Sequence, residues 1–220
     1  MQIISISGLD GSGKSTQIEL LKKKFETEGK KVFYFHAVAF SIANKKICHS
    51  ERISQQDDES KNLSAKSLDY ARAGKSSKSV TSANWLQIQL RKVALAIDLI
   101  RFQKLLQELR SENYDYLLSD RYFYDNVINI LYLAKTIPAP WSLLSCLASF
   151  IPRPDFAFFL SADPKKIMQR PRPAEQGLEY LLAKQRILTQ FAQDNNLFEI
   201  DGNKTQQEVF GEIEKVIGNQ

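Results

Sequence analysis

The sequence predicts an α/β domain whose parallel sheet is covered by helices on both faces, and three observations predict it. The first forty residues read as strand, glycine-rich turn, amphipathic helix and strand. Three more short apolar runs follow, each trailed by a helical pattern. The first turn also carries glycines at fixed offsets, ending in a lysine and a hydroxyl, as turns from strand to helix do in such sheets. At 220 residues, 43% apolar and 25% charged, the chain is expected to form one domain over 1–220 with a buried core, and a wholly disordered chain is excluded.

Taken in order, residues 2–7 form a β-rich run. In the helix that follows the turn, Ile18, Leu21 and Phe25 recur at intervals of three and four on one face, and Gly29 stands where a C-terminal cap is expected. Lys22, Lys23, Lys24 and Glu26 occupy the other faces and read as solvated. Residues 32–35 are the second strand. From 50 to 82 the composition turns to Ser, Lys, Gln and Asp, with Ile53, Leu63, Leu68 and Val80 too sparse to bury much area. This segment reads either as a tolerated surface insertion or as a flap over a substrate. From Asn84 to Leu109 apolar residues surround much of a long helix, which is expected in the core. Residues 116–119 form a short buried strand, followed at once by Asp120-Arg121 and a helix to Ala134; residues 156–160 and 197–200 are further strands.

The charge balance, 30 Lys plus Arg against 25 Asp plus Glu, suits a phosphate-bearing ligand but not the dense basic face of a nucleic-acid binder. Cys48 and Cys146 lie far apart without metal-ligand spacing, so they read as reduced thiols. The apolar run 141–151, between Pro140 and Pro152, is about half a membrane span, and Ile3-Ile4-Ser5-Ile6 is too short for a signal-peptide core. A cytoplasmic protein without a membrane or nucleic-acid partner is expected.

Gly8-Leu9-Asp10-Gly11-Ser12-Gly13-Lys14-Ser15-Thr16 fits G-x-x-x-x-G-K-[ST] between a strand and a helix, which is the context that motif requires. The glycines let successive N–H groups turn inward on a phosphate, and the helix N-terminus adds partial positive charge. Lys14 is placed to bridge the β- and γ-phosphates of ATP, and the Ser15 hydroxyl to ligate Mg²⁺. Asp120-Arg121 sits at the carboxyl end of a core strand, where open α/β sheets bind ligands. Asp120 can hold Mg²⁺ through water and Arg121 can grip a phosphate bidentately; a structural ion pair is the alternative.

These segments together resemble the thymidylate kinase family: the P-loop, Ser119-Asp120-Arg121-Tyr122, then Pro154-Asp155-Phe156-Ala157-Phe158-Phe159-Leu160 with Asp163-Pro164 and Arg170, and finally Phe198-Glu199-Ile200-Asp201-Gly202. The resemblance implies the P-loop nucleoside monophosphate kinase fold, with a five-stranded parallel sheet flanked by helices, a short lid at about 168–178, ATP and Mg²⁺, and a homodimer through the long core helices. It also implies that lid arginines stabilise the transferring phosphoryl group where the P-loop has none. Gly11 occupies that P-loop position here, which makes Arg170 and Arg172 the candidates. By the same resemblance Asp10 lies beside the acceptor sugar and phosphate, and Arg121 holds the acceptor phosphate.

The acceptor side departs from the family pattern. His36-Ala37-Val38-Ala39-Phe40-Ser41 stands where the family carries Arg-Glu-Pro-Gly-Gly-Thr, and Asp125-Asn126-Val127-Ile128-Asn129-Ile130 where it carries Ser-x-x-Ala-Tyr-Gln. Arg91 and Arg101 on the long helix fall out of register with the family's arginine. His36 reads either as an acceptor contact or as a structural histidine, and Tyr122, with Phe123 and Tyr124, as a stacking face for a base or as packing. No carboxylate adjoins His36 in the sequence. That favours an acceptor that attacks with an already anionic phosphate oxygen over one whose hydroxyl needs a base, although Asp120 could serve as one. The resemblance thus implies ATP- and Mg²⁺-dependent conversion of dTMP to dTDP. The alternatives are a kinase of this fold with another nucleotide, nucleoside or phosphometabolite acceptor, and a nucleotide-binding regulatory protein with a degenerate acceptor site.

Overall fold

The computed structural model describes residues 1–42, 85–134, 148–170 and 176–218. The polar segment 50–82, Cys48, Cys146 and Arg172 lie outside the described residues.

Five strands form one parallel sheet in the order β2-β3-β1-β4-β5: β1 (Gln2–Gly8), β2 (Val32–Phe35), β3 (Tyr116–Asp120), β4 (Phe156–Ser161) and β5 (Phe198–Asp201). The helices are α1 (Lys14–Thr27), α2 (Ala37–Phe40), α3 (Trp85–Ser111), α4 (Phe123–Ala134), α5 (Pro164–Met168), α6 (Leu178–Asp194) and α7 (Gln206–Gly218). The expected α/β architecture and all five strands are present, within one or two residues of their sequence bounds. Among the described residues no helix is long and apolar enough to cross a membrane.

The alternation of side chains along each strand divides the core. Ile4, Ile6, Leu118, Phe156, Phe158, Leu160 and Ile200 face α1 and α7, meeting Ile18, Leu21, Val209 and Ile213. On the opposite face Ile3, Phe35 and Leu117 pack against α3 and α4 through Leu99, Phe102, Phe123 and Val127. Beside them Phe159 and Ala162 meet α5 and α6 through Ile167, Leu181 and Leu188. Ser5 and Ser7 on β1 are buried on that second face, where small polar side chains leave room at the mouth of the sheet.

The long helix corrects one expectation. Ile88, Leu95, Leu99, Phe102, Leu106 and Leu109 bury one side of α3, but Leu86, Leu90, Val93, Ile97 and Ile100 on the other side remain 42% to 62% exposed. Its apolar circumference reflects two separate stripes and not full immersion in this chain's core. A helix absent from the sequence expectation, α2, follows β2 directly. The His36 Nδ1 caps it by accepting the Ala39 N–H at 3.3 Å, an N-terminal cap made by a histidine.

Candidate active site

The carboxyl ends of β1 and β3 lie side by side, with Ile6 paired to Asp120, so the turn after β1 and the Asp120-Arg121 pair are brought together by sheet register alone. The residues of the turn are bent by two distinct glycine requirements. A Cβ on Gly8 would stand 2.7 Å from the Leu160 carbonyl oxygen and 3.0 Å from Ser12 Oγ, so β4 approaches too closely for a side chain. Gly13 precedes α1 at φ 103°, with nothing within 4 Å of an added Cβ; the left-handed backbone, not crowding, requires glycine there. The first N–H groups of α1 are therefore presented at the mouth of the sheet without intrahelical partners.

Lys14 is almost wholly buried, and its Nζ donates to the Leu9 carbonyl at 2.6 Å. Burial, helped by the nearby Arg121 guanidinium, pulls its pKa down from 10.5 to about 8 against the opposing fields of Asp10, Asp125 and Asp120. The Ser15 hydroxyl donates to Asp120 Oδ2 at 2.5 Å, while Asp120 Oδ1 is buried without a partner. A hydroxyl and a buried carboxylate with one free oxygen make a hard-oxygen pair that fits Mg²⁺. Among the described residues no group of three or more His, Cys, Asp or Glu could hold a metal, so a cation bound here would complete its shell with phosphate oxygens and water.

Arg121 has a left-handed backbone, φ 65°, uncommon for a non-glycine residue and held from three directions. Its N–H donates to the Ile6 carbonyl at 3.2 Å, and its carbonyl accepts the Ala37 N–H at 3.1 Å and the Ser119 hydroxyl at 3.0 Å. The strained turn directs the guanidinium to Asp10, with which it forms an ion pair and hydrogen bond. Burial alone would raise the Asp10 carboxyl; the fields of Arg121, Lys184 and Lys14 outweigh it and bring the carboxyl below its ordinary value. His36 lies close enough to feel Asp120, Arg121, Asp125 and Lys14, and burial lowers its pKa, consistent with the unprotonated Nδ1 that caps α2.

Arg170 reaches the turn from the end of α5, donating to the Gly11 carbonyl and, at 3.3 Å, to the Gly202 carbonyl. Asp10, Lys14, Ser15, His36, Asp120, Arg121 and Arg170 are thus assembled around one turn. Gly8, Leu9, Gly11, Ser12, Gly13 and Thr16 complete that turn, Leu9 with its side chain in the core and Thr16 exposed. Tyr122 does not join them: its side chain is fully buried, its hydroxyl donates to the Pro152 carbonyl at 2.8 Å, and its ring packs edge-on against Phe102, Phe123 and Tyr124. The residue after the strained Arg121 is turned into the core, which is the packing alternative for Tyr122 rather than a stacking face open to a base.

Two residues that sequence reasoning missed stand beside these. Asp125, in the first turn of α4, is fully buried; its Oδ2 accepts the Ser7 hydroxyl at 2.8 Å and its Oδ1 has no partner. Its field reaches Lys14, His36 and Arg121. Lys184, on α6, is buried and its field reaches Asp10. A lone Asp at the start of a helix and a lone Lys inside one carry no sequence signal; only the appearance of a charge at a buried helical position could have singled out Lys184.

A five-stranded parallel sheet in this order, with a P-loop between β1 and α1, defines an α/β P-loop kinase fold. The structure is similar to that of a thymidylate kinase from Candida albicans, with a TM-score of 0.61, over 99% of this chain and 91% of that chain, at 17% sequence identity. The likeness is one of fold, and that kinase is described as having broad substrate specificity and a novel structural element. The sequence matches no protein-family model and no curated protein.

Proposed function

We propose that the chain is a single-domain, ATP- and Mg²⁺-dependent nucleoside monophosphate kinase, with dTMP the first acceptor to test. The observation that carries the reading is the junction of Ser15 with a half-satisfied, buried Asp120 beside Lys14, at the N-terminus of the helix that follows the glycine turn. The acceptor phosphate oxygen forms a bond to the γ-phosphorus of ATP as the bond to the β,γ-bridging oxygen breaks, and ADP leaves. The N–H groups of residues 11–16 orient the donor phosphates, and Lys14 exchanges the Leu9 carbonyl for a phosphate oxygen. Ser15 and Asp120 would hold Mg²⁺, which when bound offsets the charge of the phosphates. Arg121 exchanges Asp10 for, or shares it with, the acceptor phosphate. Arg170 with Arg172 balances charge on the phosphoryl group in flight.

Support for this reading comes from the site's chemistry, the fold likeness and the family resemblance of the motifs. ADP release from the purified protein with ATP, Mg²⁺ and a panel of monophosphates and nucleosides tests it. Turnover that peaks with dTMP supports the reading in full; turnover peaking with another monophosphate supports the kinase and replaces the acceptor. ATP binding without acceptor-dependent ADP would support a regulatory nucleotide-binding protein instead.

Asp125 favours a second reading, phosphoryl transfer to a hydroxyl. Its free Oδ1 is a carboxylate oxygen near Lys14 and Arg121, suited to take a hydroxyl proton, a role for which the sequence alone offered only Asp120. Turnover of nucleosides but not monophosphates, abolished in Asp125→Asn, would select it.

The exposed stripe of α3 completes the proposal. Leu86, Leu90, Val93, Ile97 and Ile100 follow a 4-3-4-3 spacing, the seam by which one helix packs along another. Its occupant is a second copy of the chain, in a homodimer. Sedimentation equilibrium checks this: the parent should weigh twice a chain and Leu90→Lys/Val93→Glu a single chain, whereas a monomeric parent sinks the dimer. No membrane or nucleic-acid partner enters the reading, and the site suits a cytoplasmic nucleotide enzyme.

A further inference from the structure

His36 stands between β2 and α2, with the extended backbone, φ −134° and ψ 108°, that a capping residue needs. Both of its neighbours are fastened to the end of β3: Phe35 is paired with Ser119 in the sheet, and the Ala37 N–H donates to the Arg121 carbonyl at 3.1 Å. Register and that bond hold the imidazole at the same mouth as the glycine turn.

The cap decides which ring nitrogen carries the proton. Nδ1 accepts the Ala39 N–H at 3.3 Å, so it has none of its own, and in the neutral ring the proton is on Nε2. A second proton would set N–H against N–H and undo the cap. The charged groups that face the ring are Asp120 of β3, Arg121 beyond it, Asp125 of α4 and Lys14 of α1. On the α3 side of α2, Asp98 and Arg101 are engaged with the Ile42 N–H and the Phe40 carbonyl.

Nε2–H is thus a donor without a taker. Among the described residues the cap is the side chain's one hydrogen bond, and Nε2 is not among the atoms sealed from water. Nor does it bond to the carboxylates near it, since Asp120 Oδ1 and Asp125 Oδ1 both lack a partner. Capping alone is a task that Ser, Thr, Asp or Asn perform with a shorter side chain. What histidine adds is a second nitrogen on the far edge of the ring, and the capped form of that nitrogen can only donate.

We propose that His36 is an acceptor-binding residue, whose capped, neutral ring donates its Nε2 proton in a hydrogen bond to an oxygen of the acceptor's phosphate beside the Arg121 guanidinium. The proposal rests on the phosphoryl-transfer reading and deepens it: the acceptor's phosphate meets one charged fork and one neutral donor, held side by side through the Ala37–Arg121 bond. The proton stays on Nε2 throughout.

Two measurements test this on the full chain, saturated with ADP and Mg²⁺ so that the P-loop is filled. The chain has two histidines, so heteronuclear spectra of the imidazole nitrogens can be assigned with His49→Gln. Near neutral pH His36 should show the Nε2–H form. Adding dTMP, dCMP, dAMP, dGMP or inorganic phosphate, whichever binds, should shift Nε2 and slow the exchange of its proton, and thymidine should do neither. Calorimetric titration of His36→Asn, which keeps a favoured capping oxygen and loses the far donor, should find phosphate-bearing ligands bound roughly 10- to 100-fold more weakly, the loss expected for one hydrogen bond to a charged group. Its affinity for ATP alone should stay within about 3-fold of the parent's, and its melting midpoint should hold. An Nδ1–H form, an Nε2 signal unmoved by a bound phosphate ligand, equal affinities in His36→Asn and the parent, or a parent that binds none of the phosphate ligands would each overturn the proposal. Inorganic phosphate that moves Nε2, with no monophosphate bound, keeps the proposal and sinks the nucleotide acceptor. A monophosphate that binds without moving Nε2 keeps the nucleotide acceptor and leaves His36 as a cap.

Discussion

The segment 8–16, from the end of β1 through the first turn of α1, is a continuous run of nine residues whose backbone forms the proposed donor site, whereas the proposed acceptor side is gathered from β2-α2 and the β3-α4 junction. In the turn, strand register, two glycine conformations and a helix N-terminus leave few sequences that would serve. On the acceptor side each element contributes one or two side chains, and any of them can change while the scaffold stays. Arg101 illustrates this: it donates to the Phe40 carbonyl at 2.9 Å and to Asp98 at 2.8 Å, and its guanidinium lies over the Phe40 ring. An arginine near the family's acceptor register is thus used here to fasten α2 to α3. The difference teaches that chemistry common to a fold lives in its backbone, and choice of acceptor in scattered side chains.

The largest effect that could break this comparison is at Lys14. Lys14→Met should lower turnover by at least about 10³-fold, since it removes the buried cation that faces the donor phosphates. The same variant should gain stability. Folded Lys14 titrates near 8 and an unfolded lysine near 10.5, so between those values the unfolded state holds the extra proton and stability rises with pH. Below pH 8 the buried charge costs on the order of 3 kcal/mol. Urea unfolding should therefore find Lys14→Met more stable than the parent at pH 7, with the gap closing by pH 10.5; a variant less stable at pH 7 would refute the account of its burial. Undiminished turnover would refute the P-loop assignment itself.

Next in size is Asp120→Asn, expected to cost about 10²-fold in turnover and to raise the Mg²⁺ concentration needed for half-maximal rate. The amide can still accept the Ser15 hydrogen bond, so folding should be nearly unaffected. An unchanged Mg²⁺ dependence would remove Asp120 from the metal site and leave it as a structural partner of Ser15.

Arg170 probes the boundary between the two halves. Its bonds to the Gly11 and Gly202 carbonyls could be a staple that holds the turn against the β5-α7 loop, or the resting position of a catalytic cation. Arg170→Ala should reduce kcat by about 10- to 100-fold while ATP affinity stays within about 3-fold, because a charge used only in the transition state leaves ground-state binding alone. A loss of ATP affinity or of thermal stability, without a specific loss in kcat, would identify a staple.

What could be read from the sequence follows the same division. The five strands are short apolar runs bounded by turn residues, and the turn at residues 8–16 is contiguous, so both were legible. Lys184 lies far along the chain from Asp10, and its only local mark is a place on the same helical face as Leu181 and Leu188, whereas Lys22 and Lys23 lie off the apolar face of α1. Asp125 gains its meaning only because α4 starts under the end of β1, within reach of Ser7. The exposed side of α3 was hidden by a related difficulty: composition reports that a helix is apolar on two sides, not whether this chain covers both.

Tyr122 gives the smallest effect and the sharpest division of roles. Its position after Asp120-Arg121 suggests an acceptor contact, but the left-handed turn at Arg121 reverses the chain so that the guanidinium faces the cleft while the next side chain enters the core. Tyr122→Phe keeps the aromatic packing and removes only the hydroxyl that bonds to the Pro152 carbonyl. The expected cost is about 1 kcal/mol of stability, the ordinary net value of one such bond, and KM for the acceptor should move by less than about 2-fold. Thermal unfolding and steady-state kinetics on the same preparation measure both. A rise in acceptor KM without a loss of stability would return Tyr122 to the acceptor site and require its side chain to leave the core when the acceptor binds.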